Sequence, residues 1–160
     1  MTVQAKLKPD RLQGPPNFVP KWMFPPQRWE NSFNHKRALS SAIRIGDLTL
    51  IRKLVDHYEM KEVSLDDAIR TAHLNKKLVG AVDELDVEQV RLLLDQGANP
   101  NAASWNYPRG KWFPVLLSAV IVSRSSQHSP QNRQNAHTII GLLEQHGGSL
   151  PFWDDPRNDF

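Results

Sequence analysis

The stretch Val87-Glu-Gln-Val-Arg-Leu-Leu-Leu-Asp-Gln-Gly-Ala-Asn-Pro-Asn-Ala102 decides how the rest of the chain is read. Val87, Val90, Leu93 and Leu94 recur at i, i+3, i+6 and i+7, a spacing that gathers apolar side chains on one face of a helix. Asp86 stands where an N-cap belongs, with Gln89 three residues on as its capping-box partner. Gly97 is placed to stop the helix, because glycine enters the left-handed conformation with least strain.

Shifting the chain on itself by 39 residues brings Leu39, Ala42, Asp47, Leu48, Ile51, Leu54, Val55 and Asp56 onto Leu78, Ala81, Asp86, Val87, Val90, Leu93, Leu94 and Asp95. A third copy follows with a shift of 37 for its first helix and 50 for its second. Val115, Ser118 and Ala119 then match Leu78, Ala81 and Val82, while Ile140, Leu142, Leu143 and Gly147 match Val90, Leu92, Leu93 and Gly97. The two shifts differ by 13 residues, which places an insertion near 123–135. Its polar, apolar-poor sequence predicts a flexible surface loop. Between the first two copies, Ser64-Leu-Asp-Asp-Ala-Ile-Arg-Thr-Ala-His-Leu74 opens with a capping-box pattern and predicts an extra helix.

The stretch 87–102 resembles the second helix and outgoing turn of an ankyrin repeat, and Leu78 to Asp86 is similar to the preceding first helix. Phe113-Pro-Val-Leu-Leu-Ser-Ala119 resembles the T-P-L-H-L-A-A helix start of that family, and Gly141-Leu-Leu-Glu-Gln-His-Gly147 its helix end. The likeness covers roughly residues 38–150. Three features depart from it: a period above the ~33 residues usual there, Tyr58 and Glu59 in place of the helix-ending glycine of the first copy, and no histidine in the T-P-L-H position. The resemblance implies an all-α fold, a short stack of helix pairs. Other helix-pair solenoids share the periodicity, but the Gly97-Ala-Asn-Pro-Asn101 turn argues against them.

Residues 1–37 read as an extended arm, 38–150 as the repeat domain and 151–160 as a short aromatic and acidic tail. Half of the 12 prolines, Pro9, Pro15, Pro16, Pro20, Pro25 and Pro26, fall in the arm, where no helix or central strand can pass through them. Up to Arg37 seven basic residues face two acidic ones, a charge of +5; beyond it thirteen face fifteen, a charge of −2. A basic arm on a mildly acidic body suits an acidic protein surface, a nucleic acid or an anionic membrane, and does not choose among them. Phe18, Trp22, Phe24, Trp29 and Phe33 punctuate the arm, more large apolar side chains than an inert linker has use for. They pack either on the protein's own helices or on a partner.

With 160 residues, 39% of them hydrophobic, the chain has the length of one domain. Absence of cysteine excludes disulfides, a thiol nucleophile, thiolate-bound zinc and iron–sulfur sites. The apolar run 113–122 falls short of the ~20 residues that a membrane helix needs, and no signal-peptide h-region follows Met1. An intracellular protein without a membrane span is expected, cytoplasmic in the first place, with nucleus and organelles open.

No nucleotide-binding, phosphate-loop, nucleophile-elbow or zinc-protease motif occurs. His35, His57, His73, His128, His137 and His146 include no i, i+4 pair for a metal. Asp83, Glu84, Asp86 and Glu88 read as a solvated rim with one cap in it, and Asp66-Asp67 and Asp154-Asp155 as adjacent residues that do not face one another. No enzyme, cofactor or metal is expected.

Recognition remains. The helices carry Leu, Ile, Val and Ala, while the aromatics collect in the arm, in 105–113 and in the tail. Trp, Tyr and Arg dominate protein–protein hot spots. Trp105, Tyr107, Arg109, Lys111 and Trp112 lie in a turn longer than the usual ankyrin finger, which should project and bind a partner protein. By the resemblance, Asp83 and Glu84 on the concave face add polar contacts. Trp22, Phe24 and Trp29 of the arm grip the same or another subunit. Against this, Trp112 can fold back to cover the last repeat, and the arm aromatics or Phe152-Trp153 can cap an array of so few repeats. The expected function is a non-catalytic adaptor or scaffold, monomeric alone. The alternatives are a structural subunit of a large assembly and a nucleic-acid-associated protein using the arm.

Overall fold

The computed structural model describes residues 32–106 and 111–158. Among them the chain is mostly helical, as expected, with six helices: α1 (Ser32–Ile45), α2 (Leu48–His57), α3 (Leu65–Asp83), α4 (Val87–Asp95), α5 (Val115–Arg124) and α6 (Pro130–Gln145). A two-stranded antiparallel sheet, β1 (Ala103–Asn106) with β2 (Lys111–Pro114), and two 3-10 turns, Phe152–Asp154 and Pro156–Asn158, complete them. The chain divides into two compact units, one holding 32–43 and 47–69 of the described residues, the other the rest. The arm assigned to 1–37 lies outside the described residues up to position 31.

In the first unit, α2 starts where Asp47 accepts a hydrogen bond from the Leu50 N–H at 3.0 Å, satisfying one of the orphan donors of the first turn. Of the face that the repeat assigned to the core, Ile51 and Leu54 are buried and Leu48 and Val55 partly so, and Leu50, outside that pattern, is buried with them. The helix ends without glycine: Glu59 takes the left-handed conformation, φ 48°, and the Met60 N–H reaches the Val55 carbonyl at 3.1 Å. That bond closes the same loop that glycine closes elsewhere, and the buried Met60 side chain anchors it. The rings of His35 and Tyr58 stack with centroids 3.6 Å apart, and His57 meets Tyr58 edge-on.

The predicted extra helix between the first two copies is not separate. Ser64 caps it by accepting from the Asp67 N–H at 3.3 Å, but α3 then runs unbroken from Leu65 to Asp83 through the first helix of the second copy. Nothing between Leu74 and Leu78 breaks a helix, and Asn75, the polar residue at the junction, is fully buried with its side chain in use.

In the second unit α3 passes to α4 through Leu85 (φ 57°) and Asp86. Asp86 accepts from the Gln89 N–H at 3.1 Å, the expected cap. Its own N–H goes to the Ala81 carbonyl, not to Gln89, so the capping box has one leg only. Gly97 (φ 105°) and Gly147 (φ 96°) end α4 and α6 as expected. The core of this unit gathers Leu78, Val82, Val90, Leu93, Leu116, Val120, Ile139 and Leu143, with Leu85 and Leu150 partly buried against it. Each such side chain withdrawn from water contributes roughly 1.5–3 kcal/mol.

The insertion at 123–135 is not a loop. α5 continues to Arg124, only residues 125–129 turn, and α6 starts at Pro130. Ser129 caps α6 by accepting from the Asn132 N–H at 3.1 Å, and proline at the first position gives up no hydrogen bond there. Gln131 and Asn135 bond at i, i+4 on the outer face, and the Arg133 guanidinium donates to the Ser125 and His128 carbonyls, pinning the turn. Of these polar residues, Ser123, which is buried, and Arg124 finish α5, 125–129 make the turn, and 130–135 form the first turns of α6. α6 packs on α5 and on α4.

Candidate functional site

The Gly97-to-Asn101 turn is the mechanical centre of the second unit. The Asn99 N–H donates to the buried Asn75 Oδ1 at 2.7 Å, and Asn99 Oδ1 in turn accepts from the Asn101 N–H at 2.8 Å. Asn101 Oδ1 accepts from the Ser149 N–H at 3.0 Å, which ties the exit of α6 to the exit of α4. The Asn101 carbonyl accepts from Arg44 Nε. The fully buried Asn75 side chain would otherwise lose water without a partner, and the part-buried bonds to Asn99 and Asn101 extend its constraint along the turn.

From that anchor the finger leaves as β1 and returns as β2, in the register Ala103↔Pro114, Ser104↔Phe113, Trp105↔Trp112 and Asn106↔Lys111. The return runs directly into α5, whose first N–H, on Val115, donates to the Ala102 carbonyl at 2.9 Å. The finger is therefore a hairpin at its root, where the sequence had shown only a long loop. Pairing fixes the register of the finger base, which a chain of the same length without ladder bonds does not have.

The hairpin root, the first turn of α5 and the tail enclose a cleft of about 330 Å³ lined by Arg44, Trp112, Pro114, Leu117, Leu150, Pro151 and Asp154. Its walls are apolar and its two charges are of opposite sign. Arg44 is half-buried, and that burial lowers its pKa from the ordinary guanidinium value; it remains a cation at any physiological pH. No carboxylate lies within ion-pair distance of it among the described residues. The tail wall is held from behind by Arg157, which donates to Asp155 at 2.7 Å and to Glu144 of α6 at 3.0 Å. Hydrogen bonding from Arg157 holds the Asp155 carboxyl below the usual carboxylate range, and Asp155 and Glu144 together raise the Arg157 pKa.

Of the residues expected to bind a partner, Trp112 alone lines this cleft, half-buried in its wall. Across the cleft it faces Leu117 of α5 and Leu150, Pro151 and Asp154 of the tail segment. Trp105 and Lys111 stand in the strands with side chains outside the described residues; Tyr107, Arg109, Trp22, Phe24 and Trp29 lie outside them altogether. Asp83 ends α3 and Glu84 follows it, both exposed, and partial burial together with the Glu84 charge raises the Asp83 pKa. Phe152, considered as a cap, is 63% exposed and covers little.

Arg44, Leu150 and Asp154 were not found from the sequence. A signal for Arg44 existed: the 39-residue shift sets it on Asp83, so one helix position carries a charge in both copies. Among the described residues no cluster of three or more His, Asp or Glu could hold a metal ion, and no helix is long and apolar enough to cross a membrane. No protein-family model, no curated protein and no solved structure matches the chain.

Proposed function

We propose that the chain is a non-catalytic protein–protein interaction module built on ankyrin-like helix pairs, an adaptor or scaffold that binds a partner protein through the finger 103–113 and the face beside it. The arm contacts the same or another subunit. What supports the repeat reading is the recurrence of one geometry. Asp47 and Asp86 cap the second helices of their pairs with the same dihedrals, φ −86°, ψ 90° and φ −88°, ψ 92°. The three second helices end in the same long-span bond, Met60 to Val55, Ala98 to Leu93 and Gly148 to Leu143.

The observation that carries the binding reading is the finger root: a paired hairpin, anchored by the Asn75–Asn99–Asn101 network, that sets Trp112 at an open apolar cleft. Rigid placement of an aromatic at a partly open apolar surface lowers the entropy lost on association. The test is affinity purification from the native cell at two salt concentrations, comparing the full chain with a Trp105→Ala/Tyr107→Ala/Trp112→Ala variant. Loss of a stoichiometric protein partner in the variant, with little salt effect, is expected. Recovery of RNA or DNA that is lost at high salt and indifferent to the finger would move the function to the basic arm. Unchanged recovery of one set of subunits by both proteins would favour a fixed place in a large assembly.

A further inference from the structure

We propose that the cleft at the finger root receives an acidic, apolar segment of the partner protein, which lays a leucine- or phenylalanine-sized side chain against Trp112, Leu117 and Leu150 and sets a neighbouring Asp or Glu carboxylate on Arg44. This rests on the interaction-module reading and names the chemistry of the partner.

The argument begins with Arg44. A guanidinium has five N–H donors. Only Nε is engaged within the described residues, on the Asn101 carbonyl, and no carboxylate compensates the charge. The contact with Asn101 fixes the plane of the group, so the remaining donors are presented in a set orientation. A carboxylate is the acceptor whose two oxygens match that fork. Half-burial strengthens the pairing relative to an exposed arginine, because less water competes for either partner.

The apolar walls select what accompanies the carboxylate. Tryptophan, two prolines and two leucines gain from covering an aliphatic or aromatic side chain and gain nothing from a bare anion. Apolar surface also continues past the cleft. Phe152, next to Pro151, is 63% exposed, and Ile121, one turn along α5 from Leu117, is 42% exposed. A small metabolite would leave both uncovered, whereas a passing chain segment covers them. Asp154 on the rim repels a second carboxylate there and gives the segment a direction, its acidic residue toward Arg44.

The test uses the full-length, isotope-labelled protein and three capped peptides: acetyl-Leu-Phe-Asp-amide, its Asn counterpart, and acetyl-Ser-Ser-Asp-amide. In an NMR titration the first should shift the Trp112 indole and Leu117 methyl signals. The Asn peptide should bind about fivefold more weakly, the loss expected for one charge-assisted pair in a half-exposed site. The Ser-Ser peptide should leave the cleft signals in place. Arg44→Gln should abolish the preference for the Asp peptide, leaving it bound no more tightly than the Asn peptide. Because that variant also loses the Asn101 contact, Asp154→Asn serves as the second: it should tighten the Asp peptide and leave the Asn peptide unchanged. Equal binding of the Asp and Asn peptides to the unaltered protein, no binding of either, or shifts elsewhere would overturn the inference. Should that happen while the finger variant still loses its cellular partner, the module reading stands without the cleft. The expected peptide preference with no protein captured from the cell would keep the cleft and remove that reading.

Discussion

The turns at Gly46-Asp47 and Leu85-Asp86 follow one backbone path with different residues. The first residue of each is left-handed, φ 73° and 57°, the aspartate after it caps a helix, and its N–H donates to Ala42 or Ala81 five residues back at 3.0 Å in both. The surroundings differ. A Cβ on Gly46 would stand 3.0 Å from the Lys76 Cβ and 3.1 Å from the Ala72 carbonyl oxygen, so a side chain there would push α3 by a few tenths of an ångström on top of the left-handed strain. At Leu85 the side chain has room and packs, partly buried, against the core. One turn meets its left-handed demand with glycine, beside a crowded helix; the other accepts strain and offsets it by apolar burial. Equal local geometry therefore leaves residue choice to the neighbours.

The sharpest way to break this contrast is Gly46→Ala. Left-handed strain and a crowded backbone carbonyl oxygen should together destabilise by about 2 kcal/mol after the gain from a stiffer unfolded chain, read as a lower urea midpoint at unchanged slope. A loss below about 0.5 kcal/mol would mean that α3 yields easily. The shared element is tested by Asp47→Ala and Asp86→Ala, each expected to cost about 1 kcal/mol. Values that differ strongly would show that matching dihedrals conceal unequal caps.

Leu85→Gly relieves strain but removes a packed side chain and loosens the unfolded chain, for a net loss of about 1 kcal/mol in the same unfolding experiment. A gain in stability would reverse the account of that turn. Smallest is Glu59→Gly at the end of α2, where the left-handed residue stands at φ 48°. Relief of strain should slightly exceed the added unfolded-state entropy, raising stability by about 0.5 kcal/mol in thermal or urea melts. A loss there would give the Glu59 side chain a role of its own.

Much of the local structure was legible. Asp86, Ser64 and Gly97 act as the cap and stop residues that their types and spacing predict, and Ile51 and Leu54 of α2 and Val90, Leu93 and Leu94 of α4 are buried on the predicted face. Two readings failed for one reason. Polar composition does not make 123–135 a loop, nor does a cap make 64–74 a separate helix, because a helix is ended by a breaker or by lost packing, not by polarity. Ser129-Pro130 was in fact a start signal of the ordinary kind.

By itself the sequence determined the mostly helical character, the caps Asp86 and Ser64 and much of the buried faces of α2 and α4, because those depend on residues within a few positions of each other. It also placed the aromatics on the finger. Only the tertiary structure decided that the finger root is a hairpin, that α3 continues through two predicted helices, and that Arg44, Trp112 and Leu150 meet at one cleft. Those outcomes depend on contacts between residues far apart in the chain, such as Arg44 with Asn101 and Asn101 with Ser149, and no local period records them.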